Sequence, residues 1–342
     1  MSIKFSPGKI KNMQALANSR GVIAAAAMDQ RGSLQNSIAA ARGISKDAVT
    51  DEMMTEFKTA VSKVLTPHAS AILLDPEWGL PAAAARSSNA GLLLAYEKSG
   101  YDNTQPGRRP DLLPDISVKR IVDHGANAVK VLIYYTPFED AAINEEKHAF
   151  IERIGAECEF NEIPFFLEFV GYDPSGGDEK GLEFAKKKPE VVIKSMKEFS
   201  KEQYHVDVLK VEIPDNLAYA EGSSVYKGEK AYSKEQALGI YREAAELAER
   251  PFIYLSAGVS NQQFTESLRW AAEAGVAFSG VLCGRATWKE GIPVYGQKGV
   301  AALEEWLQGE GVTNINSVND CLNAATSWYS FYGANSAEDL AA

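Results

Sequence analysis

Eight short apolar segments constrain the fold of this chain more than any other feature of its sequence. They lie at residues 21–29, 70–75, 91–96, 128–135, 165–170, 206–214, 252–256 and 278–283. Segments of this length without a polar face are typical of parallel strands that are covered on both sides. Their alternation with helical patterns predicts an α/β fold, namely a (β/α)8 TIM barrel. We expect residues 1–342 to form a single barrel domain with a short N-terminal and a helical C-terminal extension.

A doubly wound open sheet is the main alternative, because strands and helices alternate in that fold as well. No G-x-G-x-x-G turn follows the first segment, so the dinucleotide-binding form of the open sheet has less support. The length of 342 residues suits one large barrel or two modest domains. The sequence shows no low-complexity segment or linker at which two domains would separate. The barrel is therefore the favoured prediction.

Apolar residues at helical spacing predict the helices between these strands. The predicted helices span residues 10–18, 46–65, 116–124, 142–161, 189–204, 234–250, 262–275, 300–307 and 318–331. The polar residues D-Q-R-G-S, which follow the first strand, predict a loop. A second loop, at residues 99–114, is long enough to suggest a function.

Charge and cysteine content exclude several classes of protein. The net charge of -11 argues against a nucleic-acid-binding surface, which needs clustered Lys and Arg, but a small anionic metabolite needs only a few cations inside a pocket. The three cysteines are far apart and show no metal-ligand spacing, which indicates reduced thiols. The N-terminus lacks the apolar core of a signal peptide, and no apolar run has the length of a membrane span. We expect a soluble, cytoplasmic protein without a membrane partner.

One lysine, Lys210, lies in the middle of the sixth apolar segment, V-D-V-L-K-V-E-I-P. An unpaired ammonium group is costly in a buried strand. Either a carboxylate such as Glu212, on the same face of the strand, neutralises it, or its amine takes part in chemistry. This segment alone leaves both interpretations open.

Charged residues in the neighbouring strands favour the chemical interpretation. Strands 4, 5 and 6 each carry one ionisable residue, namely Lys130, Glu168 and Lys210. Neighbouring strands lie about 4.8 Å apart, so inward-pointing side chains on them come within Coulombic reach. The active site of a barrel lies at the carboxyl ends of its strands, where Asp29 also lies. An ion cluster that only satisfies itself is the structural alternative. The same arrangement would favour the neutral lysine that attack on a carbonyl requires.

Glycine-containing turns after strands 7 and 8 predict a phosphate site. S-A-G-V includes Ser256 and Gly258, and C-G-R-A-T includes Gly284 and Arg285. Barrels often bind phosphate at these two positions through backbone N–H groups and a cation, and glycine lets the backbone approach a ligand. Each turn alone is equally compatible with a helix start and a solvated arginine. The two turns together favour the phosphate site.

Other kinds of catalytic centre find little support in the sequence. The four histidines are scattered without metal-ligand spacing, so a zinc-dependent enzyme is not expected. Ser256 has no G-x-S-x-G elbow around it. Asp75 and Glu77 suit a cation, but the turn P-E-W-G-L-P favours a capping or structural role for them.

Eight long motifs between residues 28 and 328 are specific enough to indicate a family. They are M-D-Q-R-G, L-L-D-P-E-W-G-L-P, L-L-L-A-Y-E-K, E-R-I-G-A-E-C, P-F-F-L-E, D-V-L-K-V-E, Y-L-S-A-G-V-S and G-V-L-C-G-R-A-T-W. With these motifs the chain resembles the class I tagatose 1,6-bisphosphate aldolases. The resemblance implies a (β/α)8 barrel and a Schiff-base enzyme, independent of metals and cofactors, that acts on ketohexose bisphosphates.

The resemblance also implies roles for individual residues. Lys210 becomes the Schiff-base lysine and Glu168 the acid and base, with Lys130 and Asp29 as polar neighbours in catalysis. Contacts to the substrate and its phosphates are implied for Gln30, Ser256, Arg285 and, at the second phosphate, Arg31. Two departures lie on loops, where Trp78 stands in place of Tyr and T-P-F at 136–138 replaces a more polar sequence. These departures concern the sugar preference and leave the lysine chemistry intact.

Two alternative functions remain open from the sequence. A sulfofructose phosphate aldolase would use the same chemistry, because a sulfonate and a phosphate are both tetrahedral anions. A non-catalytic regulatory protein would bind sugar phosphates without turnover, although the intact Lys130, Glu168 and Lys210 argue against it. The expected partners are a ketose bisphosphate and triose phosphates, and we expect a homo-oligomer because such assemblies are common among soluble enzymes.

Overall fold

The computed structural model describes residues 4–342 and shows a closed barrel of eight parallel strands. The strands are β1 (Ile23–Met28), β2 (Ala71–Leu74), β3 (Gly91–Ala95), β4 (Ala128–Tyr134), β5 (Phe165–Val170), β6 (Val208–Glu212), β7 (Phe252–Leu255) and β8 (Gly280–Cys283). They follow one another around the barrel in chain order, and β8 pairs with β1 to close it. The predicted α/β (β/α)8 architecture is therefore confirmed, and the open sheet is excluded.

Helices surround the barrel and connect its strands. In the described residues they are α1 (Pro7–Leu16), α2 (Gly32–Arg42), α3 (Asp51–Leu65), α4 (Leu80–Ala84), α5 (Val118–Asp123), α6 (Ala141–Phe160), α7 (Leu182–Phe199), α8 (Lys234–Glu246), α9 (Asn261–Glu273), α10 (Arg285–Trp288), α11 (Gly291–Lys298), α12 (Val300–Trp306) and α13 (Val312–Cys321). A short parallel pair, Ala220–Glu221 with Tyr232–Ser233, lies between β6 and α8. Cys158, Cys283 and Cys321 are free thiols.

Helix α2 has no counterpart among the predicted helices, and it begins inside the segment that predicts a loop. Its buried residues Leu34, Ile38 and Ala39 lie on one helical face against the main core. The chain therefore turns directly from the end of β1 into a helix. This short connection holds the residues after β1 close to the barrel.

Two further helix predictions are wrong in their limits. Helix α7 begins at Leu182, seven residues before Pro189, because buried Phe184 and Ala185 keep the first turns packed. The helix predicted at residues 318–331 is interrupted, because α13 ends at Cys321 and only two short 3-10 turns, Leu322–Ala324 and Tyr329–Tyr332, follow it. In this region backbone N–H groups donate hydrogen bonds to residues next to the barrel strands, and that of Trp328 donates to Gly21 O at 3.0 Å. The C-terminal segment thereby closes one end of the barrel.

The interior of the barrel divides into an apolar part and a charged part. Side chains on alternate strand positions point inward, and near the amino ends of the strands they are Ala128, Phe166, Val208 and other apolar residues. Helix α1 and Trp328 cover this end, with Phe5 packed edge-on against the Trp328 ring. Two residues further along the same strands, the inward positions carry charges. The barrel thus places its buried charges at its carboxyl end.

Candidate active site

Three charged side chains from adjacent strands meet inside the carboxyl end of the barrel. Lys130 on β4, Glu168 on β5 and Lys210 on β6 are all buried. Glu168 and Lys210 lie opposite each other in the register of β5 and β6, and Lys210 Nζ donates to Glu168 Oε2 at 2.7 Å. Lys130 Nζ lies 2.9 Å from the same carboxylate oxygen. The structure therefore brings together the three residues that the strand pattern singles out.

Lys130 is the centre of this cluster because its ammonium group contacts three carboxylates. Besides Glu168, it donates to Asp29 Oδ2 and to Glu97 Oε1, each at 2.8 Å. Its side chain is fully buried. Burial lowers the pKa of Lys130, but the three carboxylates outweigh this effect and hold the pKa well above its usual value. Lys130 therefore remains a fixed positive charge.

The three carboxylates differ in their tendency to ionise. Burial by itself raises the pKa of Asp29 and of Glu168, yet the charges of Lys130 and Lys210 outweigh it and hold both pKa values below their usual range. For Glu97 burial outweighs the nearby cations, and its pKa is raised. Asp29 and Glu168 are therefore carboxylates at neutral pH, and each can accept a proton or a hydrogen bond.

Lys210 pairs with Glu168 and not with Glu212. Glu212 is also buried and on the same strand, but its Oε2 accepts the backbone N–H of Gly171 at 2.8 Å and its Oε1 lies 3.6 Å from Lys188 Nζ. The interpretation in which Glu212 neutralises Lys210 is therefore wrong. The partner of Lys210 is the carboxylate that also contacts Lys130.

A cavity of about 310 Å³ opens above the charged cluster. Its wall includes all ten residues that the sequence predicts for the site, which are Asp29, Gln30, Arg31, Lys130, Glu168, Lys210, Ser256, Gly258, Gly284 and Arg285. It contains charged groups on one side and the glycine turns on the other. A small polar molecule that enters it reaches the lysine cluster and both turns at once.

The two glycine turns lie against each other on the β7 and β8 side of the cavity. Gly258 has a φ of +79°, and a Cβ atom built on it would lie 2.7 Å from Arg285 Cζ. Its carbonyl accepts Lys289 Nζ at 3.1 Å. Arg285 is exposed and begins α10, while Ser256 is buried below it. The absence of a side chain at Gly258 is what allows the guanidinium group to lie over this turn.

Arg31 and Gln30 lie on the opposite side, after β1. Arg31 is buried, and it donates to Glu77 Oε2 at 3.0 Å and to the carbonyl of Glu97 at 2.8 Å. Two of its five N–H donors are thus engaged by the protein. Nε of Arg31, Oε1 of Gln30 and Oε2 of Glu97 are buried atoms without a hydrogen-bond partner. Unsatisfied polar atoms beside a cavity are uncommon and need an explanation, such as a ligand that completes them.

Glu97 is the site residue that the sequence analysis misses. It follows β3 directly in the motif L-L-L-A-Y-E-K, and strand 3 is one for which no charged end residue is predicted. The signal was its position, since the polar residue after each neighbouring strand is a candidate. Asp75 after β2 has the predicted structural role, because its Oδ2 caps the backbone N–H of Trp78 at 2.8 Å.

The described residues contain no cluster of potential metal ligands. In the part of the chain that the structure describes, no three His, Cys, Asp or Glu side chains are arranged to hold a metal ion. Within the same residues, every helix is too short or too polar to cross a membrane.

Comparison with known proteins relates this chain to a family of enzymes. The sequence profile of DeoC/LacD family aldolases matches residues 23–290. A relative from Enterococcus faecalis named tagatose 1,6-diphosphate aldolase 2 is 52% identical over 328 residues, covering 96% of this chain and 97% of its own. A tagatose 1,6-diphosphate aldolase of Listeria monocytogenes is 50% identical over 333 residues, covering 97% of each chain. One from Staphylococcus epidermidis is 47% identical over 324 residues, covering 94% of this chain and 98% of its own.

A solved structure supports the same architecture. It is that of a Schiff-base-forming fructose-1,6-bisphosphate aldolase, and it superposes with a TM-score of 0.52 at 14% sequence identity, covering 87% of this chain and 97% of its own. At this identity the likeness concerns the fold. The profile match and the near full-length relatives show that the chain belongs to the DeoC/LacD family of aldolases.

Proposed function

We propose that this protein is a class I aldolase that cleaves tagatose 1,6-bisphosphate to dihydroxyacetone phosphate and glyceraldehyde 3-phosphate. Its near full-length relatives carry the name of that activity. The observation that carries the proposal is the contact between Lys210 Nζ and Glu168 Oε2 at 2.7 Å, inside a cavity of metabolite size. A nucleophilic amine with a base in hydrogen-bond reach is the arrangement that covalent catalysis at a ketone requires.

The first chemical step is the formation of an iminium ion on Lys210. Glu168 accepts a proton from the ammonium group, and the free amine attacks the C2 ketone of the substrate. Glu168 then returns this proton to the hydroxyl of the resulting carbinolamine, which leaves as water, and the C=N bond to Lys210 forms. Lys130, 2.9 Å from the Glu168 carboxylate, keeps that carboxylate ionised for the steps that follow.

The second step breaks the bond between C3 and C4. Glu168 removes the proton of the C4 hydroxyl, the C4–O group becomes the aldehyde of glyceraldehyde 3-phosphate, and the electrons of the C3–C4 bond move into the iminium to give an enamine. Protonation of C3 and hydrolysis of the iminium then release dihydroxyacetone phosphate and free Lys210. The protonated lysine nitrogen is the electron sink, so the proposed reaction runs without a metal ion. Asp29 is proposed to orient the substrate hydroxyls from its place beside Lys130.

The two phosphates are assigned to opposite sides of the cavity. We assign one to the turns that carry Ser256, Gly258, Gly284 and Arg285, where backbone and guanidinium donors converge. We assign Gln30 and Arg31, after β1, to the far end of the sugar. The unsatisfied Arg31 Nε supports this assignment, since it can donate to a phosphate oxygen, while Gln30 Oε1 can accept a hydrogen bond from a sugar hydroxyl.

Trapping of the iminium tests the chemistry directly. Borohydride added together with dihydroxyacetone phosphate should inactivate the enzyme irreversibly and add the mass of the reduced adduct to the peptide that contains Lys210. Lys130→Met is the matched control, because it removes a buried lysine of the same cluster and should leave labelling at Lys210 detectable. A label on another lysine, or no label, would overturn the proposal.

Steady-state kinetics with different sugars test the substrate. We expect cleavage of tagatose 1,6-bisphosphate, and the same assay with fructose 1,6-bisphosphate and sulfofructose phosphate measures the preference among ketoses. Faster cleavage of the sulfonated sugar would assign the protein to the alternative aldolase. Labelling without triose release from any sugar would instead indicate a binding protein.

A further inference from the structure

Lys58, on α3, is a fully buried lysine outside the cavity that makes three hydrogen bonds. Its ammonium group donates to the carbonyls of Met28 and Gln30, each at 2.8 Å, and to Asp75 Oδ1. An ammonium group has three donors, so all of them are used. The lysine is thus held in one position by three acceptors from two segments, the end of β1 and the end of β2.

The two carbonyls that Lys58 contacts lie on either side of Asp29. β1 ends at Met28, so Asp29 and Gln30 are beyond the regular strand. Asp29 places its Oδ2 at 2.8 Å from Lys130 Nζ. Lys58 therefore fixes the peptide unit that joins Met28 to Asp29 and the unit that joins Gln30 to Arg31. These two units bracket Asp29 and restrict where its carboxylate can point.

Asp75 fixes Lys58 from the other side. Its side chain is fully buried, and its second oxygen accepts the N–H of Trp78 at 2.8 Å. Its own carbonyl accepts the N–H of Gly79 at 3.0 Å, in a turn so tight that a Cβ on Gly79 would collide with that carbonyl oxygen. Asp75 is consequently a rigid acceptor at the end of β2, and Lys58 connects it to the end of β1.

Stability alone gives a weak reason for a buried ion pair at this place. Removing two charges from water costs several kcal/mol, and well-packed apolar residues of similar volume are often as stabilising. What an apolar pair cannot supply is directed hydrogen bonds to two specific carbonyls. The directed bonds end on the segment that carries Asp29, so the geometry of that segment is what the pair contributes.

We propose that Lys58 is a positioning residue for the reaction: with Asp75 as its anchor, it holds the backbone on both sides of Asp29 so that the Asp29 carboxylate meets Lys130 in the cavity. The inference rests on the proposed function, in which Asp29 contacts the substrate. Lys58 itself touches neither the cavity nor the substrate. Its effect on the catalytic step is proposed to reach the reaction through Asp29, and this makes it testable.

A double-mutant cycle between Lys58 and Asp29 measures this dependence. The variant Lys58→Met/Asp75→Asn removes both charges of the pair and keeps an acceptor for the N–H of Trp78. It should lower kcat about 100-fold, the loss expected from a misplacement of about 1 Å, with KM changed less than about threefold. In an Asp29→Asn background the same two substitutions should lower kcat less than about threefold. Equal factors in the two backgrounds, or a wild-type kcat, would overturn the inference.

Lys9→Met is the matched control for loss of a buried ammonium group. Lys9 is a buried lysine at the opposite end of the barrel, where it pairs with Asp207 and Glu159. Its substitution should change kcat by the same factor in the wild-type and in the Asp29→Asn background. If the double variant at Lys58 and Asp75 does not fold, Lys58→Gln takes its place in the cycle, with an expected loss of about tenfold because the amide retains two donors.

A crystal structure of the double variant separates this inference from the proposed function. The contact between Asp29 Oδ2 and Lys130 Nζ should be lost in it, whatever sugar the enzyme cleaves. If the contact persists unchanged, the inference fails even though cleavage is confirmed. If the wild-type protein cleaves no ketose bisphosphate, the proposed function fails while the structural test of Lys58 still applies.

Discussion

The two ends of the barrel both contain a buried lysine with carboxylates, but they differ in how completely these groups are satisfied. At the closed end, Lys9 Nζ lies 3.0 Å from both oxygens of Asp207, one of which also accepts the N–H of Phe165 at 2.8 Å. At the open end, buried atoms of Gln30, Arg31 and Glu97 have no partner, and that of Glu97 is a carboxylate oxygen. At the closed end the Tyr332 hydroxyl is also without a partner, but both oxygens of the Asp207 carboxylate are bonded.

Satisfied and unsatisfied polar groups have different consequences. A buried ion pair with all its bonds made joins parts of the chain, and its loss leaves an uncompensated charge. Unpaired buried polar atoms destabilise the folded state, and they are found mainly at functional sites, where they can bind a ligand. We therefore expect substitutions at the open end to remove activity with little effect on stability, and substitutions at the closed end to do the reverse.

The largest expected effect is that of Lys210→Met. Without the amine no iminium forms, so kcat should fall by roughly 10⁵-fold or more, as when other covalent nucleophiles are removed. Glu168 keeps Lys130 as a partner, so the free energy of unfolding should change by less than about 1.5 kcal/mol. Cleavage assays and urea unfolding measure the two quantities. A destabilised variant with substantial residual activity would contradict the comparison between the two ends.

Lys9→Met should show the opposite pattern. It leaves Asp207 buried beside Phe165 without its cation, which should lower the free energy of unfolding by about 3–5 kcal/mol. The cavity is at the other end of the barrel, so kcat and KM should stay within about twofold of wild type. Denaturant unfolding and cleavage assays of the same preparation are the measurement. A kcat loss in the folded variant would mean that the two ends are coupled.

The charged cluster of the open end could be predicted from the sequence, because strand order and inward alternation follow from simple patterns. Placing Lys130, Glu168 and Lys210 in strands 4, 5 and 6 requires only period-two alternation and the rule that barrels carry their sites at the carboxyl ends. The register of β5 and β6 then sets Glu168 opposite Lys210. Because the strands are regular, the same reasoning about alternation and register applies to every strand of the barrel.

The parts that escaped prediction depend on tertiary contacts. Lys58 lies next to Phe57 on α3, a helix whose apolar face is clear from the sequence. On an isolated helix the Lys58 side chain would be solvated. It is buried only because α3 packs against the ends of β1 and β2. Glu97 follows a strand with no charge inside it. Its connection to Lys130 depends on the way strands 3 and 4 lie side by side. Lys58 therefore has no local signal in the sequence, and Glu97 has only its position after a strand.

Acid should affect the two ends differently. The pKa of Asp29 is lowered on folding by Lys130 and Lys210 against the effect of burial, so its contribution to stability is present above its usual pKa of 3.8 and is lost as the pH falls below it. The pKa of Asp207 is raised by burial, so protonation favours the folded state there. Asp29→Asn should therefore reduce the loss of unfolding free energy between about pH 6 and about pH 3 by about 1 kcal/mol or more.

Unfolding by urea at the two pH values provides the measurement. Asp207→Asn is the matched variant at the closed end, and it should leave this acid-dependent loss undiminished. If the two asparagine variants reduce the loss equally, the difference in charge environment between the ends is not the cause of acid sensitivity.

A glycine of the open end and a similar glycine elsewhere should respond differently to substitution by alanine. Gly258 and Gly275 have φ angles of +79° and +74°, but a Cβ at Gly258 would meet Arg285 Cζ at 2.7 Å, whereas at Gly275 it would meet nothing within 4 Å. Alanine at either position should cost about 1–2 kcal/mol of backbone strain. Only Gly258→Ala must also displace the guanidinium group, and it should raise KM for the bisphosphate about tenfold, or about 1.4 kcal/mol of binding. Equal KM values for the two variants would remove Arg285 from the proposed phosphate site, because its position over Gly258 would then make no difference to binding.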